Sequence, residues 1–255
     1  MGKQFPRALR HSPLVTSTAE LRFSSDLPAA VLFGMLYTAE RERYPIVEQL
    51  PASQLPPQML QMDSNLQYQA HFALKPQGGG PTIHLGPKVF SATSVPGRHM
   101  DVEYLSGEYQ RILEVFYGLG QVKRYERLGL RYINFFEKRN VVKSSTLTLS
   151  LEDVDLSDDD VHIRAQMRSA GYIASLSIMS NAQVAFNAPP SSTPPLGAKQ
   201  GSLLDIDVSQ DKLDVLGEGG AKKIVELFVG AHDVAKSLFF KSLKDDFITE
   251  LGPIA

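Results

Sequence analysis

The chain has 255 residues and a formal net charge of −2, so it can fold around its own core and carries no basic excess that would require nucleic acid. It has no cysteine, which excludes disulfides, thiolate zinc sites and cysteine nucleophiles. Apolar residues make up 43% of the sequence, yet no uncharged apolar run is long enough for a membrane span. The basic start lacks the apolar core of a signal peptide, so we expect a cytoplasmic protein. Because the sequence has neither an apolar span nor a basic excess, we expect it to bind neither membrane nor nucleic acid.

The chain begins with one strand pattern followed by one helix pattern. Residues 14–23 alternate apolar and polar side chains, which predicts a strand. Residues 28–43 place apolar side chains at helical spacing after a capping Asp26, and this helix must end before Pro45. The proline-containing residues 46–63 indicate an extended connector.

The middle of the first half predicts a hairpin region. Residues 66–74 alternate cleanly and indicate a half-buried strand, and residues 77–81 form a glycine-rich turn. Residues 82–94 are either its hairpin partner or two short strands interrupted at Gly86 and Pro87. An apolar stripe along residues 101–122 then predicts a second amphipathic helix.

Residues 124–137 form the longest segment whose pattern fits only a strand. Through its middle, apolar side chains alternate with polar or small ones: Leu128, Leu130 and Tyr132 against Arg127, Gly129 and Arg131. The last part is apolar on both faces. We therefore predict a central strand, covered on both sides at one end.

The second half is richer in strands and closes with a long helix pattern. The predicted strands are residues 145–151, 161–169, 172–185 and 203–208. Proline-rich residues 187–200 indicate a solvated loop, and residues 220–250 carry a helical apolar stripe. The pattern favours an α+β fold: largely antiparallel sheet with three main helices near residues 28–43, 101–122 and 220–250. We expect an N-terminal α+β half, residues 1–140, and a β-rich half, residues 141–255, which are pseudo-repeats or parts of one continuous domain.

No motif for catalysis, cofactor binding or metal binding is present in the sequence. There is no phosphate-binding glycine loop, no serine nucleophile elbow and no helical histidine pair with metal-ligand spacing. The sequence therefore predicts no catalytic residue, cofactor or metal site. Whether the protein is an enzyme stays open.

Charged residues in two predicted strands are the main candidates for a site. Asp205 and Asp207 share one strand face, and Arg127 and Arg131 share another. The economical interpretation is cross-strand ion pairing of these arginines with these aspartates. The alternative is an anion or partner site lined by Arg127 and Arg131.

Arg131 and Asn134 are three residues apart and must lie on opposite faces of a regular strand. We expect Asn134 to satisfy backbone groups where a neighbouring segment ends. If Arg131 pairs with a buried carboxylate, Arg131→Ala should cost about 3–5 kcal/mol.

A set of short segments resembles a bacterial family of about this length that is sporadically distributed and of unknown function. The most specific segment is Arg131-Tyr132-Ile133-Asn134, and the others are Pro13-Leu14-Val15, Glu20-Leu21-Arg22-Phe23, Asp205-x-Asp207, Ala231-His232 and Phe239-Phe240. The resemblance implies a mobile gene, such as part of a toxin–antitoxin or phage-defence locus. The family brings no established residue role to this chain. The candidate binding residues are Arg127, Arg131, Asn134, Asp205, Asp207 and His232.

We expect a non-catalytic module that binds a protein partner, since a large sheet offers a broad surface and no reactive constellation is present. The alternative is an enzyme or a binding domain for an anionic small molecule or nucleotide at the Arg127/Arg131 face. Exposed Phe240 and Phe247 on the last helix would further predict a homodimer.

Overall fold

The structure, a computed structural model, describes residues 5–56, 59, 63, 65–94, 102–157, 160–184, 198–213 and 220–254. Within these residues there are four α-helices: α1 Ala29–Glu40, α2 Val102–Gly118, α3 Gly220–Ser242 and α4 Asp245–Glu250. Short 3₁₀ turns cover Pro51–Gln54 and Leu66–Tyr68. None of the helices in these ranges is long and apolar enough to cross a membrane.

Nine strands form one antiparallel sheet in the order β10-β11-β12-β7-β2-β6-β5-β4-β3. These strands are β2 Leu14–Ser24, β3 Ile46–Gln49, β4 Phe72–Lys75, β5 Thr82–Leu85, β6 Val89–Ser94, β7 Arg124–Glu137, β10 His162–Ser169, β11 Tyr172–Val184 and β12 Lys199–Asp211. Two small pairs join β1 Ala8–Leu9 to β13 Pro253–Ile254 and β8 Ser150–Leu151 to β9 Val154–Asp155. The predicted α+β class is confirmed.

Backbone contacts divide the chain into two compact units. The first unit comprises Met1–Val15, Tyr132–Asp207 and Val234–Ala255; the second comprises Thr16–Arg131 and Val208–Asp233. Both units are therefore assembled from segments distant in the chain. The predicted halves, residues 1–140 and 141–255, stay a prediction.

The core of the second unit is aromatic and lies between the sheet and α2. The ring of Phe116 stacks on Phe90 at 4.0 Å and meets Phe23 edge-on at 5.1 Å. The hydroxyl of Tyr109 donates to the carbonyl of Ser17 at 2.7 Å, so this buried phenol is hydrogen-bonded. Such pairing removes most of the cost of burying a polar group.

Two aromatic side chains near the end of the chain, Phe240 and Phe247, are buried in the core of the first unit. Phe240 and Phe247 are only 7% and 5% exposed, with Phe240 stacked on Phe5 at 5.4 Å and Phe247 5.5 Å from Phe136. The expectation that both rings are exposed is therefore wrong. They no longer argue for a homodimer, which stays a prediction without this support.

Several predicted elements differ from the observed ones because tertiary contacts override local pattern. The strand predicted at 66–74 begins only at Phe72; Leu66–Tyr68 is a 3₁₀ turn that brings Tyr68 to partners on other elements. In the strand predicted at 145–151, the Ser145 hydroxyl instead closes a turn onto the carbonyl of Val142.

The helix predicted at 220–250 is interrupted near residue 243. Leu243 forms a β-bridge with Ser145, and the Lys244 amide donates to the carbonyl of Ser144 at 2.9 Å. These bonds replace intrahelical ones, so α3 ends and α4 begins. The predicted connector 46–63 contains strand β3. Of the loop predicted at residues 187–200, residues 187–197 lie outside the described residues, and residues 199 and 200 belong to β12.

Two glycines should respond oppositely to added side chains. A Cβ at buried Gly201 would lie 2.2 Å from the carbonyl oxygen of Phe136, whereas a Cβ at Gly107 on α2 would meet nothing within 4 Å. We expect Gly201→Ala to lower the free energy of unfolding by about 1–3 kcal/mol through forced displacement of backbone. Gly107→Ala should raise it by about 0.5–1 kcal/mol, because alanine loses less entropy in a helix. Urea denaturation of both variants measures this; equal effects would contradict the packing at Gly201.

We expect His84 to contribute to the loss of stability at acidic pH. Burial, with a smaller contribution from the charge of Lys75, lowers the pKa of His84 from its ordinary value of 6.5, and burial lowers that of His71 as well. Below about pH 6.5 the unfolded chain therefore binds more protons than the folded one, and stability falls as the pH falls. His84→Gln should weaken this fall between about pH 7 and pH 5, as measured by urea denaturation across that window. The exposed control His11→Gln should keep the wild-type dependence, and an unchanged slope in His84→Gln would contradict the assignment.

Candidate functional site

Arg127 of β7 is held by carboxylates of the second unit. Its Nη1 atom donates to Glu20 Oε1 at 2.9 Å, and its Nε atom lies 3.8 Å from Asp211 Oδ1. The guanidinium lies against Gly129, where a Cβ would come within 2.5 Å of Nη1. The glycine inside this strand therefore leaves space for the arginine to lie along the sheet.

The same carboxylate of Glu20 also accepts from Arg22. The Nε atom of Arg22 lies 2.9 Å from Glu20 Oε1, and its guanidinium lies over the ring of Tyr68 at 4.3 Å. The Tyr68 hydroxyl is 3.5 Å from Glu126 Oε2. Because the charges in this cluster of half-buried side chains alternate in sign, its positive groups are already neutralised, which weakens an anion site at Arg127.

Arg131 and its predicted partners are not buried to the degree that a buried ion pair requires. Arg131 is exposed, and Asp205 and Asp207 are half-buried. Arg131 belongs to the second unit, and both aspartates belong to the first. Pairing of Arg131 with these aspartates stays a prediction, but the cost of about 3–5 kcal/mol expected for a broken buried pair is wrong for an exposed side chain.

Asn134 has a structural role in the first unit. Its side chain is buried, and Nδ2 donates to the carbonyl of Leu204 at 3.2 Å. The expectation that it satisfies a backbone group is confirmed, but Leu204 lies within β12 and not at the end of a segment. His232 is half-buried on α3 in the second unit. The six candidate residues are thus divided between the two units.

A buried charged cluster joins α1 and α2 and was missed by sequence reasoning. Glu40, the last residue of α1, is 5% exposed and accepts from Arg111 Nη1 at 2.7 Å. Burial raises the pKa of the neighbouring Tyr44 to about 12, so this phenol keeps its proton at neutral pH. Arg111 also offsets the negative charge that Glu40 places at the helix C-terminus. The cluster pairs a buried carboxylate with a guanidinium where the two helices pack.

A shallow cleft of about 350 Å³ lies in the first unit. Its charged side chains are already in ion pairs: Arg139 with Glu250 at 2.9 Å, and Glu137 with Lys199 at 2.6 Å. The aromatic rings beneath it are buried and present little surface. The residues that line it are His11, Ser12, Pro13, Phe135, Phe136, Glu137, Arg139, Phe247, Glu250 and Leu251.

Strand β10 is a long and accessible strand of the first unit. It is 8 residues long, lies at one end of the nine-stranded order and pairs antiparallel with β11 along its whole length. The hairpin closes through Ala170 and Gly171, both with positive φ, as two-residue hairpin turns require. Five of its eight side chains are exposed and the others are half-buried.

Among the described residues no strand pairs with the outer edge of β10, so this edge presents backbone groups without a strand partner. The amide of Ser180 donates to the carbonyl of Val161 at 2.9 Å, so the backbone of residue 161 faces β11. Since orientation alternates along an antiparallel strand, the N–H and C=O groups of four residues point away from β11. These outward residues are His162, Arg164, Gln166 and Arg168.

The opposite end of the sheet, β3, is better protected. It is 4 residues long and flanked by Pro45 and Pro51, which cannot donate to an added strand. Its Glu48 is already paired with Lys75. β10 contains no proline and is twice as long, so it is the edge that can accept a further strand.

Metal binding and sequence similarity offer no competing assignment. Within the described parts of the chain, no group of three or more histidine, aspartate or glutamate side chains is arranged to hold a metal ion. No protein-family model matches the chain, and no curated protein matches it significantly in sequence.

The two arginines of β7 should differ in their contribution to stability. Arg127→Gln should lower the free energy of unfolding by about 1.5–3 kcal/mol, because a hydrogen-bonded carboxylate loses its partner. Arg131→Gln, at an exposed position, should cost less than about 1 kcal/mol. Chemical denaturation of both variants, with Glu20→Gln added to each, provides the measurement. The arrangement at Glu20 is contradicted if Glu20→Gln costs as much in the Arg127→Gln background as in the wild type.

Proposed function

We propose that this protein is a non-catalytic module that binds a protein partner. The observation that carries the proposal is the exposed edge of β10, with outward backbone groups over 8 residues. Such an edge is a template for one more strand, and many recognition domains bind extended segments in this way. The partner supplies the backbone hydrogen bonds that water otherwise provides.

The other described features support binding over catalysis. The charged cluster around Glu20 is internally paired. In the helix-packing cluster Arg111 pairs with Glu40, although Glu40 Oε2 and Arg111 Nη2 are buried without a hydrogen-bond partner among the described residues. The cleft near Arg139 presents little surface. None of these combines a nucleophile with a neighbouring base at an accessible position. The functional surface of our proposal is therefore the sheet edge.

The resemblance to a sporadically distributed bacterial family extends the proposal to genomic context. We place the gene in a toxin–antitoxin or phage-defence locus, where the partner would be encoded nearby. The motif that carries this resemblance, Arg131-Tyr132-Ile133-Asn134, lies in β7. The side chain of Asn134 donates to a backbone carbonyl within the sheet, so we do not assign this residue of the motif a binding role.

The second candidate is an anion-binding protein at Arg127 and Arg131. The exposure of Arg131 favours it, since this charge is accessible to a ligand. The carboxylate of Glu20, hydrogen-bonded to Arg127, disfavours it because an incoming anion would be repelled. A metabolite that co-purifies with the protein in place of a partner would favour this candidate.

The test is co-purification from the source organism with matched proline variants. Gln166→Pro removes an outward N–H of β10 without removing a bond to β11, and Gln49→Pro does the same on β3. We expect a stoichiometric partner with the wild type and with Gln49→Pro, and a reduction on the order of tenfold with Gln166→Pro, since backbone bonds and register are lost. Thermal unfolding checks that both variants fold. Equal recovery of the partner with both variants would remove β10 as the binding edge.

A further inference from the structure

We propose that β10 binds an extended segment in which acidic residues alternate with apolar ones. This inference rests on the proposed protein-binding function and specifies the chemistry of the partner. It follows from the two faces of β10, which differ sharply in character. The pleat of a strand added at this edge would continue both faces.

One face of β10 is positively charged. It carries Arg164 and Arg168, and no ion pair joins either to a carboxylate in the part of the chain that the structure describes. Arg164 Nε donates to the neutral hydroxyl of Ser175 at 3.0 Å, which orients the guanidinium on the sheet without neutralising it. His162 continues this row, with Nε2 3.2 Å from Ser177 Oγ.

A carboxylate on an added strand would complement this row. Side chains directly opposite each other in neighbouring strands have Cβ atoms about 4.5–5.5 Å apart, close enough for arginine to pair with glutamate or aspartate. Arg164 and Arg168 are four residues apart and so share a face. Acidic residues at matching alternate positions would meet both.

The other face of β10 is apolar and incompletely covered. Ile163, Ala165 and Met167 are paired in register with Ile178, Leu176 and Ala174 of β11. The β11 residues are buried, whereas Ala165 is exposed and the other two β10 residues are half-buried. The apolar layer therefore thins out at the edge, and apolar side chains of an added strand would extend it.

A second copy of this chain is a poorer occupant. If two β10 strands paired antiparallel with Gln166 opposite Gln166, Arg164 of each strand would lie opposite Arg168 of the other. Like charges directly opposite are unfavourable. An unrelated acidic segment avoids this repulsion and gains two ion pairs, so charge complementarity selects a partner other than the chain itself.

The experiment measures binding of fluorescent synthetic peptides by anisotropy at low and at physiological salt. The probe alternates glutamate and valine over 8 residues, the length of β10. The control peptides replace glutamate with lysine or shuffle the same composition so that alternation is lost. We expect the wild type to bind the alternating acidic peptide at least about tenfold more tightly than either control, from two cross-strand ion pairs in register.

Charge reversal provides a gain-of-function test that unfolding cannot imitate. Arg164→Glu combined with Arg168→Glu should abolish the preference for the acidic peptide and create one for the lysine peptide. The control combines Lys222→Glu with Lys223→Glu at the exposed start of α3, which changes the net charge equally. It should bind like the wild type.

The outcomes separate this inference from the proposed function. If the reversed variant keeps the wild-type preference, or the wild type binds neither peptide, the acidic–apolar chemistry is wrong. The protein-binding function would still stand if co-purification depends on Gln166. Two other results would overturn the inference. One is that the protein binds single-stranded DNA of matching charge in place of the peptide, and that the reversed variant loses this binding. The other is self-association through β10, detected by sedimentation and abolished by Gln166→Pro.

Discussion

Backbone hydrogen bonding across nine antiparallel strands is the constraint on which the rest of this structure depends. In the described residues each inner strand has a hydrogen-bonded neighbour on both sides, whereas the two outermost strands, β10 and β3, have a neighbour on one side. Unpaired backbone groups must be hydrated, covered or bound by another chain. The location of the accessible edge follows directly from this strand order.

The two edges meet this constraint in different ways. β3 is short, lies between two prolines and pairs its glutamate with a neighbouring lysine, the usual protections against unwanted pairing. β10 has the length and the regular alternation of an inner strand, yet no strand among the described residues lies on its outer side. In the binding role that we propose, the two arginines on this edge would repel copies of the same strand and attract acidic segments.

Polar residues inside the long strands are accommodated by local compensation. Arg127 lies flat because Gly129 has no side chain, and it shares Glu20 with Arg22. Asn134 is buried but donates to a backbone carbonyl of a neighbouring strand. Arg127 and Asn134 of β7 thus each have a structural role.

Several features were determined by local sequence alone. The alternation along residues 14–23 and 124–137 specified β2 and β7 nearly to the residue, because long amphipathic strands leave little ambiguity of period. The stripes at 28–43 and 101–122 located α1 and α2. The α+β class followed from the order of these elements.

Tertiary structure decided the remainder, because it depends on which distant groups meet. Tyr68 leaves an alternating pattern to lie under Arg22, and Leu243 breaks a helical stripe to bridge Ser145. Glu20, which no sequence pattern had singled out, hydrogen-bonds Arg127 from β2, a strand beside β7. The sequence predicted β10 as a strand, but only the strand order made it an edge: a strand exposes its backbone only where no other strand lies beside it.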